Sequence, residues 1–400
     1  MKRVLFFVFS CLLIFNEANS QTLRPGVLVV GNGNAAAAAA IQSAMSGVET
    51  TILLQAGGFD ISPINDDLSS GIQASFLQKI RKAKNIKDST QVVTFDKKLA
   101  NEVLKKWTDS TKKLTVISNV MWVKADGGTN SATIKLSDGR TIKPKVLINP
   151  ADAKLNAALK VTAINSLAPE KVDYASTIYR TSVASGMNLN GTTANTFSLY
   201  NLLLAEKDNF VWVNDPQSMI IGQAAGATAA YAAFFSQKTS ISNLKRIQGE
   251  LIAFKLNLMP FADVKQTDSN WKAIQFVGVT GVLKADFVNG NLIFAPEKLV
   301  TTAEIKQPIK DSYYKAQIWF DDYKSEIITI GSAMEIISYV GNKAIEALKK
   351  DIPKKWKTSY HFKTAFDAER QINRRELAVL LQDYMPPFNV TIDKNGKIIR

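Results

Sequence analysis

The chain has 400 residues, of which 46% are hydrophobic, enough for two or three domains with real cores. One cysteine leaves no disulfide framework, and a single histidine, His361, argues against a histidine-ligated metal centre or a Ser-His-Asp triad. A formal charge of +14 on a chain of this kind favours anionic glycans or cell-surface polymers as partners over nucleic acid.

Residues 1–20 read as an export signal. Lys2 and Arg3 precede an apolar run over residues 4–15, and Ala18-Asn19-Ser20 is a cleavage site before Gln21. The run is too short to span a bilayer, and it contains the lone cysteine, Cys11. The mature chain is thus expected to be secreted or periplasmic and free of thiols.

Residues 27–58 follow as VLVVGNGNAAAAAAIQSAMSGVETTILLQAGG. An apolar strand over 27–30 stops at Gly31-Asn32-Gly33, an alanine-rich helix runs to about Met45, Gly47 ends it, and a β-branched strand covers 50–54. This is a βαβ unit with the G-x-G-x-x-A form of the dinucleotide fingerprint, Gly31, Gly33 and Ala36. Gly31 allows the tight turn, Gly33 lets a pyrophosphate approach, and Ala36 brings the helix close to the sheet. The phosphates would then rest on the helix N-terminus. The ribose position about 20 or more residues after the first glycine normally holds an acid. Here it is Gln55, which brings one oxygen and no charge.

An amphipathic helix is expected around residues 74–83, a second over 96–112, and strands over 114–117, 120–124, 132–136 and 141–148. The later strands form a meander of the sort that divides a flavin-type Rossmann domain, and residues 145–148 return the chain to the main sheet. Residues 156–200 are short and polar, with alternation over 176–182, and leave little room for a substrate-facing cap. A buried strand at 210–213 precedes a helix of small residues from Ile221 to Phe235. Beyond about residue 240 helices and loops prevail. Phe294, Glu297, Lys298, Val300 and Glu304 recur as Phe366, Glu369, Arg370, Ile372 and Glu376. Each copy ends in a capping-box spacing, Thr301 with Glu304 and Asn373 with Glu376, flanked by hydrophobic staples.

Four segments resemble the secreted FAD-dependent oxidoreductases of bacteria, xanthan-lyase type: residues 27–58, 146–155, 208–213 and 219–230. The resemblance implies that Gly31, Gly33, Ala36 and Gln55 hold the adenosine diphosphate part of FAD, with Asn32, Asn34 and Asp152 also among the cofactor-binding residues. It places Gly222, Gln223 and Gly226 near the flavin. Relative to that family the loop before Asp152 lacks a glycine, and residues 214–218 replace a longer stretch. No residue is marked as a general acid or base. The C-terminal repeats are similar to S-layer homology modules, which bind cell-wall polysaccharide through an arginine; only Arg374 matches it, and a purely structural arginine fits the pattern equally.

The expected architecture is α/β: an FAD-type Rossmann domain with a β-meander insertion over residues 25–240, its cap reduced to about 156–200, then a mainly helical domain over 241–400 with two related repeats. The implied activity is flavin hydride chemistry on a small molecule or saccharide. The alternative is a non-catalytic descendant that binds a cell-surface glycan or a partner protein.

Overall fold

The computed structural model describes residues 21–64, 68–88, 91–129, 131–150, 152–161, 168–189, 191–204 and 207–399. The expected export signal and Cys11 lie outside these residues.

The main sheet has six strands in the order β12-β13-β8-β2-β3-β4. They are β2 (Val27–Val30), β3 (Thr50–Leu54), β4 (Leu114–Ser118), β8 (Val146–Pro150), β12 (Leu203–Leu204) and β13 (Lys207–Val213). All neighbours pair in parallel except β12 with β13. Parallel strands are covered on both faces, which explains their continuous apolar runs. Val27, Val29, Ile52, Ile148 and Val211 face one core, while Leu28, Val30, Leu53 and Leu147 face the other.

On the first face lie α1 (Asn34–Met45) and α5 (Met219–Phe235). Around them stand α2 (Gly71–Ala83) and α3 (Lys97–Ser110), the latter N-capped by Asp96. The second face carries a four-stranded sheet, β1 (Thr22–Leu23), β7 (Thr141–Ile142), β6 (Ala132–Leu136) and β5 (Trp122–Gly127). Two expectations needed correction here. The strand expected over 120–124 begins at Trp122, after Asn119 turns the chain in a left-handed conformation (φ 59°). The strand expected over 141–148 is two, because Pro144 offers no N–H to a ladder; β7 joins the small sheet and β8 the large one.

A second small sheet is built from β9 (Glu170–Lys171), β10 (Ser182–Ser185) and β11 (Asn195–Ser198). The alternation over 176–182 is mostly a 3-10 turn, Ile178–Thr181, ahead of β10. This sheet packs on the stretch after α6 (Leu244–Ala253): Ser182 and Ser185 hydroxyls donate to the Leu258 and Asn257 carbonyls at 2.7 and 3.0 Å.

The remaining elements include α4 (Ala153–Ala158), α7 (Trp271–Thr280), the hairpin β14 (Asp286–Val288) and β15 (Asn291–Ile293), and α8 (Thr302–Ser312). After them come α9 (Ala316–Asp322), α10 (Ile330–Gly341), α11 (Ile345–Thr358) and α12 (Arg374–Tyr384). Two repeats were expected in this region, and the structure adds a third segment. Val300 N–H donates to the Ile372 carbonyl at 2.9 Å, Ile372 N–H to Ile328 at 2.9 Å, and Ile328 N–H to Val300 at 3.4 Å. The three bonds close a ring. Thr301, Thr329 and Asn373 follow directly and cap α8, α10 and α12. The middle copy carries Ser332 at the capping-box position, and that hydroxyl accepts from Thr329 N–H at 2.8 Å. Glu376 completes the box of the last copy, whereas Glu304 turns away to pair with Arg374.

Candidate functional site

The glycine turn lies at the carboxyl end of β2, between that strand and the N-terminus of α1. Gly31 holds a φ of +143°, open to glycine and to almost nothing else, and its N–H donates to Leu53 at 3.1 Å. The alanines that follow bury completely, which lets α1 lie directly on the sheet. Two loops clasp the turn. Asp60 N–H donates to the Asn32 carbonyl at 2.8 Å, and the Asn34 side chain brackets the Ser62 backbone, accepting at 2.8 Å and donating at 3.3 Å. From the other side, Ala35 N–H donates to the Pro216 carbonyl at 3.0 Å. A methyl group placed on Gly33 would stand 3.3 Å from the same oxygen. The segment before α5 therefore crosses the helix end that the fingerprint reserves for phosphate.

Gln55 and Asp152 come together although far apart in sequence. They sit at the carboxyl ends of β3 and β8, on either side of β2. Gln55 Nε2 donates to Asp152 Oδ2 at 3.2 Å, and Trp122 Nε1 donates to the same oxygen at 3.1 Å. The other carboxylate oxygen caps α4 through Leu155 N–H at 3.0 Å. Asn149 steadies this corner, accepting from Asp152 N–H at 3.2 Å and donating to Asn156 Oδ1 at 2.6 Å. Sequence reasoning missed Trp122, which gives no spacing signal because the meander brings it back to the sheet. The glutamine thus donates to an acid from another strand, which supplies locally the charge that its own position lacks.

Three residues expected near a flavin lie on α5 where it meets α1 and α2. A methyl group on Gly222 would stand 2.3 Å from the Ala35 carbonyl oxygen, and one on Gly226 would stand 2.4 Å from that of Ala39. Both glycines serve the close crossing of α5 over α1. Gln223 is fully buried: its Oε1 accepts from Ile72 N–H at 2.8 Å and its Nε2 donates to Gln42 at 2.8 Å. Small residues fit a ligand and a second helix equally well, and here the partner is a helix. Arg374 fits the structural of its two readings. It is 3% exposed, pairs with Glu304 at 2.6 Å and donates to the Phe294 carbonyl, so it ties two copies of the ring together and is not offered to a glycan.

Beside the glycine turn lies a cavity of about 240 Å³, lined in part by Ile64, Met187, Leu189, Asp215, Gln217 and Ile220. Among the described residues its ionisable lining group is the Asp215 carboxylate. Its volume is below the range typical of small-molecule sites, so it has room for a ring system but not for a whole dinucleotide. A second polar cavity of about 250 Å³ sits by the ring, between Asp268, Asn270, Glu297, His361 and Arg375. Arg375 grips both Asp268 carboxylate oxygens at 2.6 Å and Glu297 at 2.8 Å, and His361 stands exposed at the edge. Among the described residues no cluster has the makings of a metal site, and no helix is long and apolar enough to cross a membrane.

No family model and no curated protein matches the chain. Solved structures do. A p-nitrophenol 4-monooxygenase from Pseudomonas putida is 14% identical, with 34% of this chain and 43% of that one covered at a TM-score of 0.26. An anhydrotetracycline hydroxylase from Streptomyces rimosus is 11% identical over 37% and 36% at 0.27. A flavin-dependent monooxygenase in complex with FAD and substrate is 14% identical over 38% and 33% at 0.26. The chain spans less than half the length of these neighbours. At that level of likeness the Rossmann-type assignment rests on the strand order and the glycine turn described above.

Proposed function

We propose that the chain is an FAD-type flavoprotein of the oxidoreductase class. The observation that carries this reading is the glycine turn at the carboxyl end of the central parallel strand, with Gln55 and Asp152 converging on its flank. The backbone at Gly31, Asn32, Gly33 and Asn34, with Ala36 behind it, would hold a diphosphate once the Pro216 carbonyl gives way. Gln55 and Asp152 would face the adenosine end. FAD, when bound, supplies hydride and electron transfer at its ring. The protein's own part is to orient and to exclude water. Met187, Leu189 and Ile220 give the neighbouring cavity an apolar wall, and Asp215 would offer a carboxylate to a substrate there. The test is the visible absorbance of protein purified from its native host, with chromatography of any flavin released on heating. A colourless, flavin-free protein that takes up no added FAD counts against the reading.

The finer proposal is a secreted protein of the xanthan-lyase type, with S-layer-like repeats and a small-molecule or saccharide substrate. Export would remove residues 1–20, and the intact mass of exported protein would then begin at Gln21. A second reading, a non-catalytic scaffold for a glycan or partner, is favoured by the Gln55–Asp152–Trp122 corner, whose donors are already satisfied internally. The polar cavity at Arg375 is where such a partner would be sought. Retention of the protein on cell-surface polysaccharide, lost in Arg375→Ala, would separate this reading from the first.

A further inference from the structure

We infer that the segment before α5 is a latch, a piece of the chain seated where the cofactor's diphosphate would lie, which FAD has to displace in order to bind. The inference rests on the FAD reading above and concerns the regulation of that same site. Two observations meet at one atom. The Pro216 carbonyl accepts the Ala35 N–H at 3.0 Å, on the first turn of α1, and the same oxygen lies 3.3 Å from where a Gly33 side chain would begin. A carbonyl oxygen at a helix N-terminus satisfies the donor that an anion would otherwise take.

The latch is held in shape by its own bonds. Asp215 Oδ1 accepts from Gln217 N–H at 2.9 Å, and the Asp215 carbonyl accepts from Ser218 N–H at 3.3 Å. Ser218 then caps α5 by accepting from Ile221 N–H at 3.1 Å, so the latch is anchored at the start of a buried helix. Pro216, with its fixed φ, keeps the turn narrow. Asp215 and Gln217 also line the cavity of about 240 Å³, so the latch borders it as well as the helix end. FAD binding and latch seating compete for the same helix end, and weakening the latch should strengthen binding.

Two variants test this. One inserts two glycines between Asn214 and Asp215, which lengthens the latch, and the other, Asp215→Ala, removes the bond that shapes its turn. Each is titrated with FAD beside the wild-type chain, following the quenching of flavin fluorescence, after a thermal melt shows that the variant is folded. Losing one competing hydrogen bond corresponds to about a three- to tenfold tighter dissociation constant, larger for the insertion. Hydrogen exchange at Ala35 should also quicken in both variants without FAD. Equal affinity for all three chains overturns the latch while leaving the cofactor reading intact. No binding by any folded chain overturns the cofactor reading, and the latch with it.

Discussion

The crossing of α1 and α5 lends itself to a quantitative test at Gly222. In Gly222→Ala the new methyl carbon would stand 2.3 Å from the Ala35 carbonyl oxygen and 2.6 Å from its Cα, both well inside the 3.0 Å limit that real Cβ atoms respect. Neither neighbour is the free end of a side chain. Ala35 is fully buried on a helix that is itself pressed to the sheet, so relief requires the helices to part. Overpacking of this kind costs about 1–3 kcal/mol, and a rigid backbone partner argues for about 3. Replacing glycine by alanine inside a helix returns about 1 kcal/mol, which leaves a net loss of about 2. Gly249 on α6 is the matched control, with nothing within 4 Å of its missing side chain, and Gly249→Ala should gain up to about 1 kcal/mol. Denaturant unfolding of the two variants, followed by circular dichroism, should separate them by about 3 kcal/mol. Equal stability would refute the close-crossing role. If Gly222→Ala kept its stability yet took up less flavin, the glycine would belong to a ligand site after all.

Arg374→Met should cost about 3 kcal/mol, because it leaves Glu304 without its cation in a largely buried setting; a variant that stays stable but loses retention on polysaccharide would return the arginine to a binding role. Burial pulls the Lys245 ammonium down to about 8, with repulsion from Arg180 adding to the effect. Between that value and the ordinary 10.5 the unfolded chain holds a proton that the folded chain has shed, so stability should rise with pH over this window. The gain between pH 8 and 9.5 should reach about 2 kcal/mol, before tyrosine ionisation intervenes, and urea midpoints in Lys245→Met should lose that slope. Residues 241–400 expressed alone should melt cooperatively, since the ring lies wholly within them. Their midpoint should fall below that of the full chain, because Gln248 loses the Arg180 and Ser182 carbonyls that it binds at 2.9 and 2.8 Å; a featureless melt would refute the boundary.

Much of the architecture was legible because it depends on local chemistry. Four apolar residues, a glycine turn and six alanines admit few structures besides strand, turn and close-packed helix. The site was less legible, for physical reasons that differ by residue. Gln55, Asp152 and Trp122 meet only because β8, β2 and β3 stand side by side while the meander folds back over them, a consequence of topology. Gly222 and Gly226 belong to a helix of small residues, but small size does not say what approaches. Arg374 and Arg375 adjoin in sequence, yet helical geometry sends one into the core and the other to the edge of a cavity. The third capped segment escaped notice because Ser332 replaces the acid of the usual spacing while doing the same work with a hydroxyl.

The ring of three backbone bonds among Val300, Ile328 and Ile372 also limits how this region can change. An open stack of repeats can lengthen or shorten at its ends, because each unit touches only its neighbours. Here the last unit returns to the first, so the number of units is a property of the closure itself. Deleting any one would strand a donor on one survivor and an acceptor on the other, at a point where all three side chains are wholly buried. New length can enter only in the connections, outside the ring. Such a region gains or loses order as a whole.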